Sequence, residues 1–148
     1  MAVVKKSALV MYSARQMFDL VNDVESYPEF LPWCSSTTLL SRTEDQVCAE
    51  LEVSRIGISQ RFSTCNKMVA GEYMEIELVE GPFKHLRGRW DFSALREDAS
   101  KVELELDFDF SGKLINAAFG TVFHQVANTL VDAFCKRAEE VYGSERAD

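Results

Sequence analysis

Histidine is almost missing from this chain of 148 residues, which holds only His85 and His124. Two histidines so far apart match no known zinc-site spacing, and the four cysteines, Cys34, Cys48, Cys65 and Cys135, form no CxxC pair. No Gly-rich phosphate loop, Walker pattern or GxSxG turn occurs, so nothing marks nucleotide or hydrolase chemistry. No apolar run approaches the roughly 20 residues of a membrane span, and the N-terminus lacks a signal-peptide core. The cysteines are therefore expected to be reduced thiols of a cytoplasmic protein, with neither a disulfide nor a metal role. A basic excess is also lacking. Against 16 Lys and Arg stand 24 Asp and Glu, a net charge of −8, which disfavours a protein that coats DNA or other nucleic-acid phosphates. Contact with a ribonucleoprotein through a local patch stays open.

No Gly/Ser linker, repeat or low-complexity stretch divides the chain, so residues 1–148 read as one domain. Its 47% hydrophobic content fits a packed globular core, and ten of the aromatic residues are Phe. Val3 to Met11 is β-branched and aliphatic, which predicts a strand. Ser13 and Gln16 have the spacing of a capping box, which starts a short helix over Ala14 to Val21. Asp23 is placed to cap a second short turn through Val24 to Phe30, where Pro28 is tolerable only in the first turn.

From Thr37 to Phe110 the period is two. It is clearest in Val102-Glu103-Leu104-Glu105-Leu106-Asp107-Phe108-Asp109-Phe110, where apolar residues alternate with acids. One face is dry and the other wet, the pattern of an antiparallel sheet covered on one side. Ile56-Gly57 reads as a turn or bulge between strands. Lys113 to Tyr142 then repeats apolar residues at helical spacing, including Ile115, Phe119, Val122, Val126, Leu130 and Phe134, with Gly143 as a C-terminal stop. The expected class is α+β: a curved antiparallel sheet of about seven strands around a long C-terminal helix, with two short helices after the first strand. A curved sheet cannot touch a straight helix everywhere, so a cavity between them is expected.

The search for catalytic groups returns none. Glu103, Glu105, Asp107 and Asp109 are a solvated strand face rather than a desolvated carboxylate pair. His124 reads as a polar residue at the edge of the helical stripe. His85 lies in Lys84-His85-Leu86-Arg87-Gly88-Arg89, read either as a wet strand face or as a basic patch of Lys84, Arg87 and Arg89 for an anionic headgroup or partner. Two segments stand out. Tyr27-Pro28-Glu29-Phe30-Leu31-Pro32-Trp33-Cys34 is a stiff apolar loop that either caps the sheet or gates a cavity. Gly81-Pro82-Phe83 turns into a strand that carries Trp90 inward.

These segments, with Phe92, Phe134, Arg137 and Ala138, resemble the START-like coenzyme-Q-binding proteins of the polyketide cyclase/dehydrase group. That group includes bacterial ribosome-association toxins, and the similarity runs from Val3 to Gly143. The resemblance implies a helix-grip fold and a non-enzymatic protein whose cavity binds ubiquinone or a related polyprenyl quinone in support of respiration. It has no covalent cofactor, no catalytic residue and no metal. Phe30, Trp33, Trp90, Phe92, Phe119, Phe123, Val126 and Leu130 are the candidate ligand-binding residues. The alternative implied by the ribosome-association branch is binding to the large ribosomal subunit, which blocks subunit association and inhibits translation initiation. A third reading, a small enzyme on a polyketide-like substrate, ranks last. The chain begins close to its first strand, which favours a bacterial cytoplasmic protein with transient contact at the inner-membrane surface.

Overall fold

Strict alternation in the last strand sets the geometry of the whole sheet. In β7 (Ala99–Phe110), Val102, Leu104, Leu106, Phe108 and Phe110 are buried while Glu103, Glu105, Asp107 and Asp109 turn outward. The computed structural model describes the backbone of residues 2–55 and 57–146, and their side chains apart from those at 113–117 and 144–146. The readings made for Ile56 and Ile115 lie outside the described residues. Around β7 the strands β1 (Ala2–Val10), β2 (Cys34–Arg42), β3 (Gln46–Arg55), β4 (Ile58–Val69), β5 (Tyr73–Glu80) and β6 (Phe83–Arg96) form one antiparallel sheet, in the order β1-β7-β6-β5-β4-β3-β2. The seven strands and the one-sided cover match the expected architecture.

Ser13 starts α1 (Ala14–Asn22) as the spacing requires: its Oγ accepts from the Gln16 amide at 3.0 Å, and Gln16 Oε1 accepts from the Ser13 amide at 2.9 Å. Asp23 stands at the N-cap of the 3-10 turn at Val24–Ser26, but its side chain bonds no backbone amide there. Its carboxylate instead accepts from the Ser26 hydroxyl at 2.6 Å. The next short helix, α2 (Tyr27–Phe30), carries Pro28 in its first turn, where a missing N–H costs no hydrogen bond.

The long helix α3 (Lys113–Arg146) lies over the dry face and runs past Gly143, so that glycine does not end it. Phe123 of α3 sets its ring 4.9 Å from Phe108 and 5.0 Å from Phe83, and Phe119 meets Phe110 at 5.7 Å. Each such aromatic pair contributes about 0.5–1.5 kcal/mol beyond its area burial. At the other end, Phe134 packs edge-on against Trp90 at 5.3 Å and Tyr27 at 5.5 Å.

Two further findings come from register. Cys48 and Cys65 face each other across β3 and β4 with their Cα atoms 4.1 Å apart, and they are joined by a disulfide. The expectation of four reduced thiols is corrected: a directly opposed cross-strand pair brings together cysteines that lie 17 residues apart in sequence. Cys34 and Cys135 are free. The second finding concerns Gly88 of β6, where a Cβ would lie 2.5 Å from Leu106 Cδ2 and 2.8 Å from the Glu105 carbonyl oxygen. The backbone oxygen has no side-chain torsion by which to move away. Gly88→Val is expected to destabilise the fold by roughly 1–3 kcal/mol, the usual range for overpacking, read as a lower urea midpoint at unchanged slope.

Candidate functional site

Where α3 bridges the concave face, the sheet bends away and leaves an apolar cavity of about 90 Å³. Its roof is Phe123, Val126, Leu130 and Phe134, one side chain per helical turn along the buried stripe. Its floor comes from inward positions of the central strands, among them Leu51, Phe62, Met74, Leu86, Trp90 and Leu106. The end wall is Val24, Tyr27 and Trp33, from the proline-bearing segment.

That end wall is pinned rather than loose. The Tyr27 hydroxyl donates to the Val21 carbonyl, and the Leu31 amide donates to the Tyr27 carbonyl at 2.9 Å. The Ser54 amide ties the Trp33 carbonyl to β3 at 2.8 Å. From outside, Arg137 of α3 holds α2 through Glu29 at 3.1 Å and lies 4.9 Å over the Phe30 ring. Burial pushes the Cys34 thiol up to about 11 and raises the Tyr27 phenol, which also feels the negative charge available at Cys34 and Asp23.

Of the residues singled out in the sequence, Trp33, Trp90, Phe123, Val126 and Leu130 line this cavity together. Phe30, Phe92 and Phe119 do not. Phe30 packs outside it against Phe134 and Arg137, Phe92 stacks on Trp90 and meets Phe18 of α1, and Phe119 belongs to the aromatic seam with Phe83 and Phe110. Phe92 and Phe119 are buried but meet other aromatic rings instead of the cavity, and Phe30, on α2, is only half-buried.

Sequence reasoning missed the polar lining. Thr64 and Asn66 are buried side by side on the inward phase of β4, between Phe62 and Met68. The signal was present as two polar residues in an apolar phase. Asn66 Nδ2 points to Met74 Sδ at 3.5 Å, and its Oδ1 has no hydrogen-bond partner.

Arg87 and Arg89 point from the other face of β6 into a shallow groove of about 340 Å³ where charges alternate, while exposed Lys84 sits at the register shift between Phe83 and His85 and does not line it. Arg89 is occupied by Asp91 at 2.9 Å, by Glu75 at 3.4 Å and by the Tyr73 ring at 4.3 Å. Arg87 sits in register with Glu77 and Asp107, yet it forms no salt bridge among the described residues. His85 instead takes Asp107, at 2.9 Å. The three cations are thus part of a mixed-charge lattice, not an unopposed basic surface. His124 is exposed on α3, its ring 5.1 Å from that of Phe108. Among the described residues no group of three or more His, Cys, Asp or Glu is placed to hold a metal ion, and no helix is long and apolar enough to cross a membrane.

With this geometry in place, likeness to known proteins can be read. Residues 10–135 match the family described as polyketide cyclase / dehydrase and lipid transport. A Pseudomonas aeruginosa protein named ribosome association toxin RatA is 51% identical over 140 residues, covering 95% of this chain and 97% of its own. The mitochondrial coenzyme Q-binding protein COQ10 homolog B of Xenopus laevis is 29% identical over 144 residues, 95% of this chain and 59% of that one. Among solved structures, the Zhui aromatase/cyclase from Streptomyces sp. R1128 superposes with a TM-score of 0.82 at 16% identity, covering 93% of both chains. A START superfamily protein from Mycobacterium smegmatis gives 0.78 at 23% identity, covering 94% of this chain and 98% of its own. At such identities these two likenesses speak for the fold.

A group whose pKa is raised on folding favours the folded state fully below its unfolded value, and that contribution is lost as pH rises toward the folded one. The stability advantage carried by the neutral Cys34 thiol should therefore shrink as pH climbs from 9.0 toward about 11. Urea titrations of the wild type and Cys34→Ala across that window check it: the gap between them changes with pH, and a constant gap contradicts the assignment.

Proposed function

The chain belongs to the polyketide cyclase / dehydrase and lipid transport family, and from that premise we propose that it is a cytoplasmic, non-enzymatic ribosome-association protein. In this reading it binds the large ribosomal subunit and blocks its union with the small one, so that translation initiation is inhibited. The observation that carries the reading is the half-identical relative named for ribosome association, aligned along nearly the whole of both chains. A net charge of −8 opposes broad contact with ribosomal RNA. The outer face of β4 to β7 supports docking on ribosomal protein instead, since its alternating charges suit a surface of mixed sign. Arg87 and Lys67 line that groove with no salt bridge among the described residues, and exposed Lys84 stands beside Asp109.

Sucrose-gradient sedimentation with purified subunits tests this. The protein is expected to travel with the large subunit and to deplete the joined ribosome peak. Arg87→Glu is expected to weaken that co-migration, while a wild-type protein that stays at the top of the gradient would defeat the reading.

A second reading rests on the cavity. An apolar chamber walled by Trp33 and Trp90 favours a hydrophobic ligand, worth about 25 cal/mol for each Å² of apolar surface buried. The relative named for coenzyme Q binding supports an isoprenoid quinone, carried at the inner-membrane surface in aid of respiration. At about 90 Å³ the chamber lies well under the roughly 300–1,000 Å³ of pockets that enclose drug-sized ligands. The chamber therefore encloses only part of such a molecule, with the rest left outside. Mass spectrometry of lipids extracted from the purified protein should recover an isoprenoid in reproducible proportion, and its consistent absence would count against this second role.

A further inference from the structure

Asn66 is an anomaly in the cavity floor. It is 9% exposed, sits on β4 opposite Val47 and Ile76, and carries the only buried side-chain oxygen or nitrogen without a hydrogen-bond partner among the described residues. Leaving a buried acceptor unpaired costs about 1–3 kcal/mol. Such groups persist where something else is served. The direction of the amide is set by its neighbour. Met74 sulfur is a weak acceptor and receives Nδ2 at 3.5 Å. The reverse orientation would set an acceptor oxygen against an acceptor sulfur, so Oδ1 is the atom left to the cavity. Thr64, two residues earlier on the same inward phase, adds a hydroxyl to the same wall. Everything else around them is apolar or aromatic, apart from the Tyr27 hydroxyl, which is bound to the Val21 carbonyl.

We propose that Asn66 and Thr64 form a polar pole that selects a ligand presenting a hydroxyl, a phenol or an alcohol, on an otherwise apolar ring or chain. Asn66 Oδ1 accepts the ligand's proton, and the Thr64 hydroxyl engages the ligand oxygen. The requirement is for a donor: a carbonyl or ether oxygen meets Oδ1 acceptor to acceptor and leaves it unpaired. The volume sets the scale. About 90 Å³ is well below the roughly 300–1,000 Å³ of pockets that enclose drug-sized ligands, so the part enclosed is one small ring or chain end. This inference rests on the cavity being a ligand site, as in the second reading above, and narrows that reading: an oxidised quinone ring offers only acceptor oxygens, so the form the pole takes is one that carries a hydroxyl, such as the reduced hydroquinone. It is independent of ribosome docking, which uses the opposite face of the sheet.

The test compares p-cresol, p-xylene and 4-methylanisole, which share a tolyl ring and differ in offering a hydroxyl, a methyl or an ether. The two tryptophans of the chain both line the cavity, so their indole N–H resonances in ¹H–¹⁵N spectra of the ¹⁵N-labelled protein report occupancy directly. In the wild type, p-cresol is expected to bind at least tenfold more tightly than either p-xylene or 4-methylanisole. Asn66→Leu should abolish that preference and let p-xylene bind best, while Thr64→Val reduces it. Equal binding of the three probes by the wild type would overturn the polar pole, because an ordered water then satisfies Asn66, yet would leave the cavity as an apolar site. Failure of all three to shift either indole would overturn the pole and the cavity reading together. The comparison of probes on the wild type decides the matter even where a variant does not fold.

Discussion

A seven-stranded sheet with one dry face must be covered, and in this protein a single helix does most of the covering. Phe123 is where that constraint is met most fully: its ring lies within 6.0 Å of Phe62, Phe83, Phe108, Phe110 and Phe119. The contact joins three strands to α3 through rings that pack mostly edge to face, the arrangement their quadrupoles favour. Because the seam anchors one half of the helix and Phe134 anchors the other, the span between has to bridge the bend of the sheet. The cavity is the geometric remainder of that mismatch, roofed by Val126 and Leu130 between the two anchoring rings.

The two faces of the sheet then serve different physics. Inside, the surroundings are apolar, so a single unpartnered carbonyl oxygen at Asn66 matters energetically, and burial favours the neutral form of the Cys34 thiol. Outside, Glu75, Arg89, Glu105 and Lys5 alternate across neighbouring strands in exposed pairs. Such pairs contribute about 0–1 kcal/mol each. They shape which partner fits that surface more than they hold the fold. A docking role and a ligand role therefore do not compete for the same residues.

Much of the architecture was legible from residue order. The apolar-acid alternation of β7 demanded a half-covered sheet, the Ser13 and Gln16 spacing demanded a helix start, and both are found. These are local rules, set by the pleat of a strand and by unpaired amides at a helix end. The site was legible only in part. Phe92 and Trp90 share a phase on β6, but only Trp90 borders the cavity, because α1 brings Phe18 onto Phe92. Nothing in the order of residues announces where α1 will lie. Likewise, Gly143 looked like a helix stop, yet the helix continues through it, one glycine inside a helix costing only about 1 kcal/mol.

By itself the sequence determined the fold class, the inward and outward faces of the strands, the long covering helix and the kinship carried by its proline-rich and Trp90 segments. Those depend on periodicity and on motifs a few residues long. Only the tertiary structure decided which inward side chains pack and which line a space, that Cys48 meets Cys65, that Arg89 is already paired, and that Asn66 Oδ1 is left without a partner inside. Each of these is set by strand register and by where a straight helix parts from a curved sheet, and both are relations between residues distant in the chain.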